Sequence, residues 1–501
     1  MADKRYDFIV VGSGIGGLSI AALLANKGKS VCLIEGNKII GGYSSTIQVK
    51  GYSFTPGVKY LFGCGPHTPI ARFLKELKLD EKIKFNSFSP DGYDLIRIPG
   101  KDVRVPFGVC EYRNRLIKLY PEYKEGLTKY FDTFEKIFKE LRLNKCLPDK
   151  KYILHHPLKH RTLFKYEKTI AQEFFDSFNF PMDLQTILAG QIGNLAMPPK
   201  GASLLGLAGM VVFYCNGAHF PAKGMEHFND ELAKVVSSCE DCDIFCEQFV
   251  KEIHIGGDNS YVVTEKDKKI FGRNIISNID PRQTIRMVKG AKITRFEKAL
   301  KYKYSDTFFQ VFLGLKNIDL KKYGFGKWNI WFHQDIGVNK EYDALMKRND
   351  FAHSVLFFGT PSLLTDKNVL APPGCATMEI ITIVSYDYFK KLYEKDRKEH
   401  SRIKRQIAEI FIDVLEKHYI LSIREHIEVK EVWSPIDIEK TFRTVKANML
   451  GCAFDTDNVS LDRITWKTPF NNLFFIGATS AMSGITGVIT GSLRLYDELT
   501  K

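Results

Sequence analysis

The chain has no hydrophobic run long enough to cross a bilayer. Its longest apolar stretch, residues 202–215 (ASLLGLAGMVVFYC), falls short of the roughly 20 residues a membrane span needs and carries two glycines. That stretch reads as a buried core or pocket-lining helix, with a lipid-tunnel lining or a dip into a membrane surface as the alternative. Zinc-finger spacing, an RNP-type aromatic strand and a basic heptad helix are all missing. No nucleic-acid partner is therefore expected, despite a formal charge of +14 from 72 Lys+Arg against 58 Asp+Glu. No Ser-His-Asp set sits in a nucleophile-elbow context, which argues against triad hydrolysis. Internal repeats and low-complexity linkers are absent too. The first strand signal begins near Asp7 and leaves no room for a cleavable leader ahead of it. With ten cysteines scattered mostly singly, this sets the expectation of free thiols in a reducing, cytoplasmic compartment. Cys239, Cys242 and Cys246 (CEDCDIFC) come nearest to a metal motif. They run from a helix end into a strand, with only His254 nearby as a fourth ligand, so packed or exposed thiols are expected there and no metal. His155, His156 and His160 read as solvated histidines.

What is present is ordinary globular material: 501 residues, 44% hydrophobic and 26% charged. A chain this long builds its cores without disulfide or metal staples and has room for about three domains. Residues 150–168 (KKYILHHPLKHRTLFKYEK) combine base and aromatic character. They read either as a solvated, irregular surface segment or as a patch for an anionic membrane surface, where each Lys or Arg contributes about 1 kcal/mol. Peripheral membrane attachment is the expectation that follows from the second reading.

The organisation is alternating. Residues 7–11 form a buried strand, 17–27 a helix and 31–35 a second strand, one β-α-β unit. From about 68 to 215 the spacing is mostly helical. From residue 220 the α/β pattern returns, with a helix over 225–237 and strands near 243–254, 260–264 and 269–277. A second excursion, about 290–440, carries strand signals at 307–315, 328–332, 354–359 and 376–384, then one long charged helix over 386–419. The end returns to α/β with a strand at 473–476 and a helix over 484–499. The fold class is therefore α/β: a dinucleotide-binding domain built from three discontinuous segments (1–67, 216–290 and 441–501). A substrate domain of mixed sheet plus helices is formed by two insertions (68–215 and 291–440).

The chemistry begins at Gly12-Ser13-Gly14-Ile15-Gly16-Gly17, which leaves a buried strand and opens a helix. Gly12 permits the tight turn, Gly14 brings the backbone to a pyrophosphate, and Gly17 packs helix on strand. The helix start offers amides and the positive end of its dipole to phosphate. Glu35, ending the second strand, suits ribose hydroxyls and disfavours a 2′-phosphate. Beyond it come Ile40, Gly41-Gly42 with Tyr43 and Ser44, and then Gly51-Tyr-Ser-Phe-Thr55-Pro-Gly57; this extension separates an FAD site from an NAD site.

The extended pattern resembles the FAD enzymes of the phytoene desaturase, carotenoid isomerase and retinol saturase group. Pro198–Pro199, GAHFPAKGMEHFNDEL (217–232), IISNIDPRQT (275–284), APPGCATMEI (371–380), SPIDIEK (434–440), GCAF (451–454) and NNLFFIGATSAMSGITGVITGS (471–492) match that group's segments in order. Three departures bear on the substrate: Thr55 where the group usually has Asp or Glu, PAKGM at 221–225 where paired glycines are common, and ATSAMSG after Gly477 without the usual proline and histidine.

The resemblance implies bound FAD, with Gly477-Ala478 near the flavin phosphate or ribityl chain and Gly487-Val488 beside the isoalloxazine ring. It implies Val250 as a backbone contact to adenine. Lys59 and Tyr60 are the titratable residues expected to face the flavin, and a solvated lysine beside a packed tyrosine is the alternative. The expected activity is that of a desaturase, saturase or double-bond isomerase on a hydrophobic polyene or isoprenoid-type lipid, held in a dry apolar tunnel. The share of aromatic residues, 13% with 37 Phe, suits such a tunnel and equally a large core. Two other readings stand beside it. One is amine-oxidase-like flavin chemistry on a small polar substrate. The other is carriage of prenylated proteins, an architecture whose carriers have lost the glycines that this chain keeps at 12, 14 and 17.

Overall fold

Strand Arg5–Val11, helix Ile15–Asn26 and strand Val31–Ile34 open the computed structural model. It describes residues 4–141, 150–290, 300–459, 463–480 and 482–501. Phe8–Val11 pair in parallel with Val31–Ile34 on one side and with Asn274–Ser277 on the other. A strand flanked in this way is covered on both faces, which is why this run is apolar throughout. The helix buries almost its whole circumference, between the sheet, helix Gly224–Ser237 and the C-terminal helix Ile485–Leu499. Small residues allow that approach: a Cβ on Gly17 would lie 1.9 Å from the Gly12 carbonyl oxygen.

The first sheet runs Asp243–Phe245, Val31–Ile34, Arg5–Val11, Lys269–Ser277, with Leu473–Phe475 joined in parallel to the far end of the last. The near end of Lys269–Ser277 turns into an antiparallel meander with Tyr261–Thr264 and Val250–His254. The second sheet runs Ile427–Trp433, Thr307–Leu315, Ala376–Val384, Leu356–Gly359, Asn329–Phe332, Asp94–Ile98, Lys101–Val105. Ala376–Val384, near its centre, is buried at every position. Met378, Ile380 and Val384 face the helix Arg397–His418 through Phe411, Ile412 and Leu415. Ile381 and Ile383 face an internal cavity instead.

Five expectations need correction. The region read as helical contains the hairpin Asp94–Ile98/Lys101–Val105; its two short alternating runs flank Pro99-Gly100, and Gly100 takes the positive φ that the turn needs. The long charged helix breaks at Asp396, whose extended backbone and side chain cap the amides of Lys398 and Glu399, leaving Tyr386–Lys395 and Arg397–His418.

Residues 150–168 are not irregular. Helices Lys150–His155 and Arg161–Tyr166 bracket a 3-10 turn, and the Glu140 carboxylate accepts the amides of Thr162 and Leu163. His160 is buried rather than solvated, while Leu154 and Leu158 are 52% and 73% exposed. Cys239 and Cys242 form a disulfide rather than free thiols, because the turn ending the helix brings their Cα atoms to 5.2 Å, within bridging range. Among the described residues no helix is long and apolar enough to cross a membrane.

The contact at Gly17 yields a test. Gly17→Ala must lift helix from strand and is expected to cost about 3 kcal/mol in urea unfolding. Gly65→Ala, where a Cβ meets nothing within 4 Å, should change stability by less than about 1 kcal/mol. Equal effects of the two changes would contradict the packing described here.

Candidate functional site

The glycine turn is fastened from below by Glu35. Its Oε2 accepts from the Ser13 amide at 2.8 Å and the Ser13 hydroxyl at 2.6 Å, and its Oε1 accepts from the Asn37 amide at 2.8 Å. The second glycine pair closes on the first: the Gly41 amide donates to the Ser13 carbonyl at 3.0 Å. Ser44 Oγ donates to the Gly41 carbonyl, and the buried Asn229 amide group ties Ser44 at both its carbonyl and its hydroxyl. Tyr43 reaches away, its hydroxyl donating to the Asn448 carbonyl at 2.9 Å.

Over the turn lies Asn278. A Cβ on Gly14 would meet its Nδ2 at 2.6 Å, and Cβ atoms on Gly16 and Gly477 would meet its Oδ1 at 2.5 and 3.1 Å. No side chain fits at any of these three positions without displacing that carboxamide. Ile15 opens the helix beside it. The first intrahelical bond runs from the Leu18 amide to the Gly14 carbonyl, so the amides before it are free for a phosphate.

Beside Glu35 runs the segment before Val250. The Gln248 amide donates to the Glu35 carbonyl at 2.9 Å. The Phe249 ring covers Gly36 so closely that a Cβ there would lie 2.0 Å away. The Arg443 guanidinium stacks 3.3 Å above that ring. Val250 itself is buried.

On the other side, Ala478 offers its carbonyl to Arg463 at 2.7 Å. The helix Ile485–Leu499 starts after Gly484, with its first bond from the Val488 amide to the Gly484 carbonyl. Gly487 is required because a Cβ would lie 2.6 Å from the Met482 carbonyl oxygen. The Val488 side chain reaches back to within 2.9 Å of where a Gly16 Cβ would be. The helix start thus joins the glycine turn to the cavity.

That cavity measures about 270 Å³ and is walled by Phe62, Phe213, Tyr214, Trp331 and Phe357 among others, with residues 56–60 at one side and 482–487 at another. From the apolar run, Leu205, Gly206, Gly209, Met210, Phe213 and Tyr214 line it. Ala208, fully buried, does not. Both Lys59 and Tyr60 reach the wall, and Lys59 is not solvated. Its ammonium donates to the Thr55 carbonyl at 2.9 Å and pairs in a short contact with Glu379, on the central strand of the second sheet. Burial pushes Lys59 down and Glu379 up, and their mutual attraction opposes both shifts. Thr55 holds the loop through its backbone, and the carboxylate comes from Glu379. The Tyr60 hydroxyl bonds with the Asn194 carboxamide at 2.7 to 3.0 Å.

Asn278, Asn229, Glu379 and Asp94, which lies behind Tyr60, were not legible as site residues, because each reaches its position only through tertiary packing. The one sequence signal was that Asn229, Asn278 and Glu379 fall inside matched segments.

The buried pair yields a second test. Glu379→Leu leaves the ammonium unpaired and is expected to cost about 3–5 kcal/mol in denaturant unfolding. The double variant Lys59→Met/Glu379→Leu should recover most of that loss. Additive losses would show that the pair does not act as one unit.

Residues 10–77 match the family described as "NAD(P)-binding Rossmann-like domain". Over its length the chain is similar to all-trans-retinol 13,14-reductase of Danio rerio, at 22% identity over 97% of this chain and 84% of the relative. It is similar to prolycopene isomerase 1, chloroplastic, of an Oncidium hybrid cultivar, at 24% identity over 95% and 80%. Among solved structures it shares the fold of cyclohexylamine oxidase from Brevibacterium oxydans, with a TM-score of 0.63, 14% identity, and coverage of 99% and 100%. With the glycine turn, Glu35 and the closing segments in matching order, these similarities support the resemblance to the phytoene desaturase, carotenoid isomerase and retinol saturase-like superfamily of oxidoreductases.

Proposed function

We propose that the chain binds FAD and acts on carbon–carbon bonds of a long polyene or isoprenoid-type lipid. The observation that carries this reading is the cavity: a largely apolar, aromatic-lined space bounded on one side by the helix start at 484–487 that adjoins the glycine turn. The residues present fit the cofactor. The amides after Gly14 and the Asn278 carboxamide suit a pyrophosphate, and Glu35 keeps lone pairs for ribose hydroxyls. The Val250 backbone suits adenine. Gly41 to Ser44 and Gly477-Ala478 frame the middle of the dinucleotide. The amides at 485–487, with Val488, would hold the pyrimidine end of a flavin, where reduction builds negative charge. When bound, FAD exchanges hydride with a carbon held over its ring.

The chain's own part is to position that carbon and keep water out, which requires no general base at Lys59. At about 270 Å³ the cavity falls just below the usual range for small-molecule pockets. It takes the reacting segment of a long chain, with the remainder extending beyond it.

The surface supports attachment to an anionic membrane. Lys124, Lys129, Lys136, Arg161 and Lys165 border one shallow groove, and the exposed Leu154 and Leu158 belong to the adjoining helical segment.

The purified protein should be yellow with stoichiometric FAD. Gly14→Val should abolish binding, since its Cβ alone meets Asn278 at 2.6 Å. Gly206→Leu, pressing on Phe454, should keep FAD and lose lipid. Long polyenes should perturb the flavin spectrum anaerobically and small amines should not. A colourless protein that cannot be reconstituted, or rapid reduction by an amine with no lipid response, overturns the reading.

Vesicle sedimentation should show binding to anionic lipid that weakens as salt shortens the Debye length from about 10 Å at 0.1 M to about 3 Å at 1 M. Lys159→Glu, Arg161→Glu and Lys165→Glu together should remove it; unchanged binding would make the groove an ordinary solvated face.

A further inference from the structure

Gln310 stands on strand Thr307–Leu315, buried, opposite Ile381 of the neighbouring strand. Ile381 in turn lies opposite Phe357, and Phe357 opposite Trp331. Residues opposite one another on adjacent strands share a face, so these four side chains form one row across the sheet. All four belong to the wall of the cavity. On its other side Gln310 pairs with Trp433, which does not. The row therefore begins at a carboxamide and continues through three apolar side chains, a span of about 14 Å over three strand spacings.

A carboxamide carries two donors and an acceptor, and burying them unpaired is destabilising. In Gln310 both Nε2 and Oε1 are buried, and neither has a hydrogen-bond partner among the described residues. Other polar side chains of the wall are engaged. Lys59 bonds Glu379 and the Thr55 carbonyl, and Tyr60 bonds Asn194. Thr382 donates to the Val355 carbonyl at 2.7 Å, and Arg463 to the Ala478 carbonyl at 2.7 Å. A methionine would fill the place of Gln310 without the penalty of unpaired polar atoms. A buried polar group that the protein leaves unanswered calls for a partner from outside it.

We infer that Gln310 is a specificity-determining residue: it holds the terminal hydroxyl of a long-chain alcohol whose apolar remainder lies along Ile381, Phe357 and Trp331. This rests on the cavity being the lipid site, and it names the end group of that lipid. A hydroxyl both accepts from Nε2 and donates to Oε1, so one small group answers both atoms of the carboxamide. A carbonyl oxygen only accepts and leaves Oε1 unpaired. A methyl end answers neither atom, and a carboxylate brings a charge with no donor to offer. Because the row ends at Gln310, the oxygen belongs at the end of the chain and not in its middle.

The test uses the purified full-length protein and conjugated polyenes of one length that end in a methyl, a primary alcohol, an aldehyde or a carboxylate. Quenching of tryptophan fluorescence reads binding without turnover, since Trp331 lies in the wall. The alcohol should bind about tenfold or more tightly than the hydrocarbon, with the aldehyde between them. Gln310→Met should weaken the alcohol by a similar factor and tighten the hydrocarbon. It should also raise the thermal midpoint of the lipid-free protein by about 1 °C or more, because it removes the unpaired groups.

Should the variant fail to fold, the wild-type series decides. Equal binding of alcohol and hydrocarbon overturns the inference, and so does tightest binding of the carboxylate, which would pass recognition to Arg463. A lower midpoint in Gln310→Met overturns it as well, by giving the carboxamide to the fold. So does a variant that keeps the lipid preference and shifts the flavin absorption, which would put the carboxamide on the cofactor. Each of these leaves the oxidoreductase reading intact. Failure of that reading shows separately, as a wild type that binds no polyene of any end group, and it takes the inference with it.

Discussion

Lys59 leaves the turn that follows the second glycine pair, and Glu379 sits on a central strand of the other sheet; their buried contact is where the two halves of the molecule are clasped. Around it the hairpin Ile47–Val49/Tyr52–Phe54 lies against the second sheet. The Tyr52 ring fills the space where Gly314 would carry a Cβ, and Phe54 packs on Phe312 at 5.4 Å. Removing either charge strands the other in a low-dielectric interior, a penalty larger than the pair's net contribution when intact. The clasp therefore contributes placement more than stability. It fixes residues 55–60 as a wall of the cavity, at a set distance from the helix start that forms another wall.

Two kinds of surroundings meet in that cavity. Most of the wall is apolar, with aromatic rings prominent in it, and such a setting strengthens every remaining electrostatic interaction. Against that background the polar groups have distinct places. The helix start at 484–487 presents backbone amides, Lys59 is held by Glu379, Tyr60 is hydrogen-bonded to Asn194, and Gln310 and Arg463 also reach the wall. A lysine already neutralised by a carboxylate makes a poor general base.

The local signals were readable from the chain. Gly12 to Gly17 and Glu35 announce a strand–turn–helix dinucleotide unit because each glycine answers a short-range steric demand. Strands 307–315 and 376–384 show their bounds because they are buried at nearly every position and mostly apolar. The hairpin at 94–105 was missed because helical spacing on both sides masks two short alternating runs, and the break at Asp396 because a single capping residue lies inside one continuous charged pattern. The disulfide between Cys239 and Cys242 depends on a turn that spacing alone does not specify. Asn278, Asn229, Glu379 and Asp94 are further from reach still. Their partners lie far away in sequence, up to 320 residues for the contact between Lys59 and Glu379, and only packing of the elements brings them together.

The central claim is that the dinucleotide's reactive end and an apolar substrate share one cavity between residues 57–60 and 484–487. A crystal structure of the protein with its cofactor and a long-chain polyene tests this most directly. The account predicts a flavin ring against the amides of 485–487, with the polyene stacked on it inside the aromatic wall at van der Waals contact, about 4 Å. A flavin ring pointing away from this cavity, or a polyene bound elsewhere with the cavity filled by side chains, would contradict it.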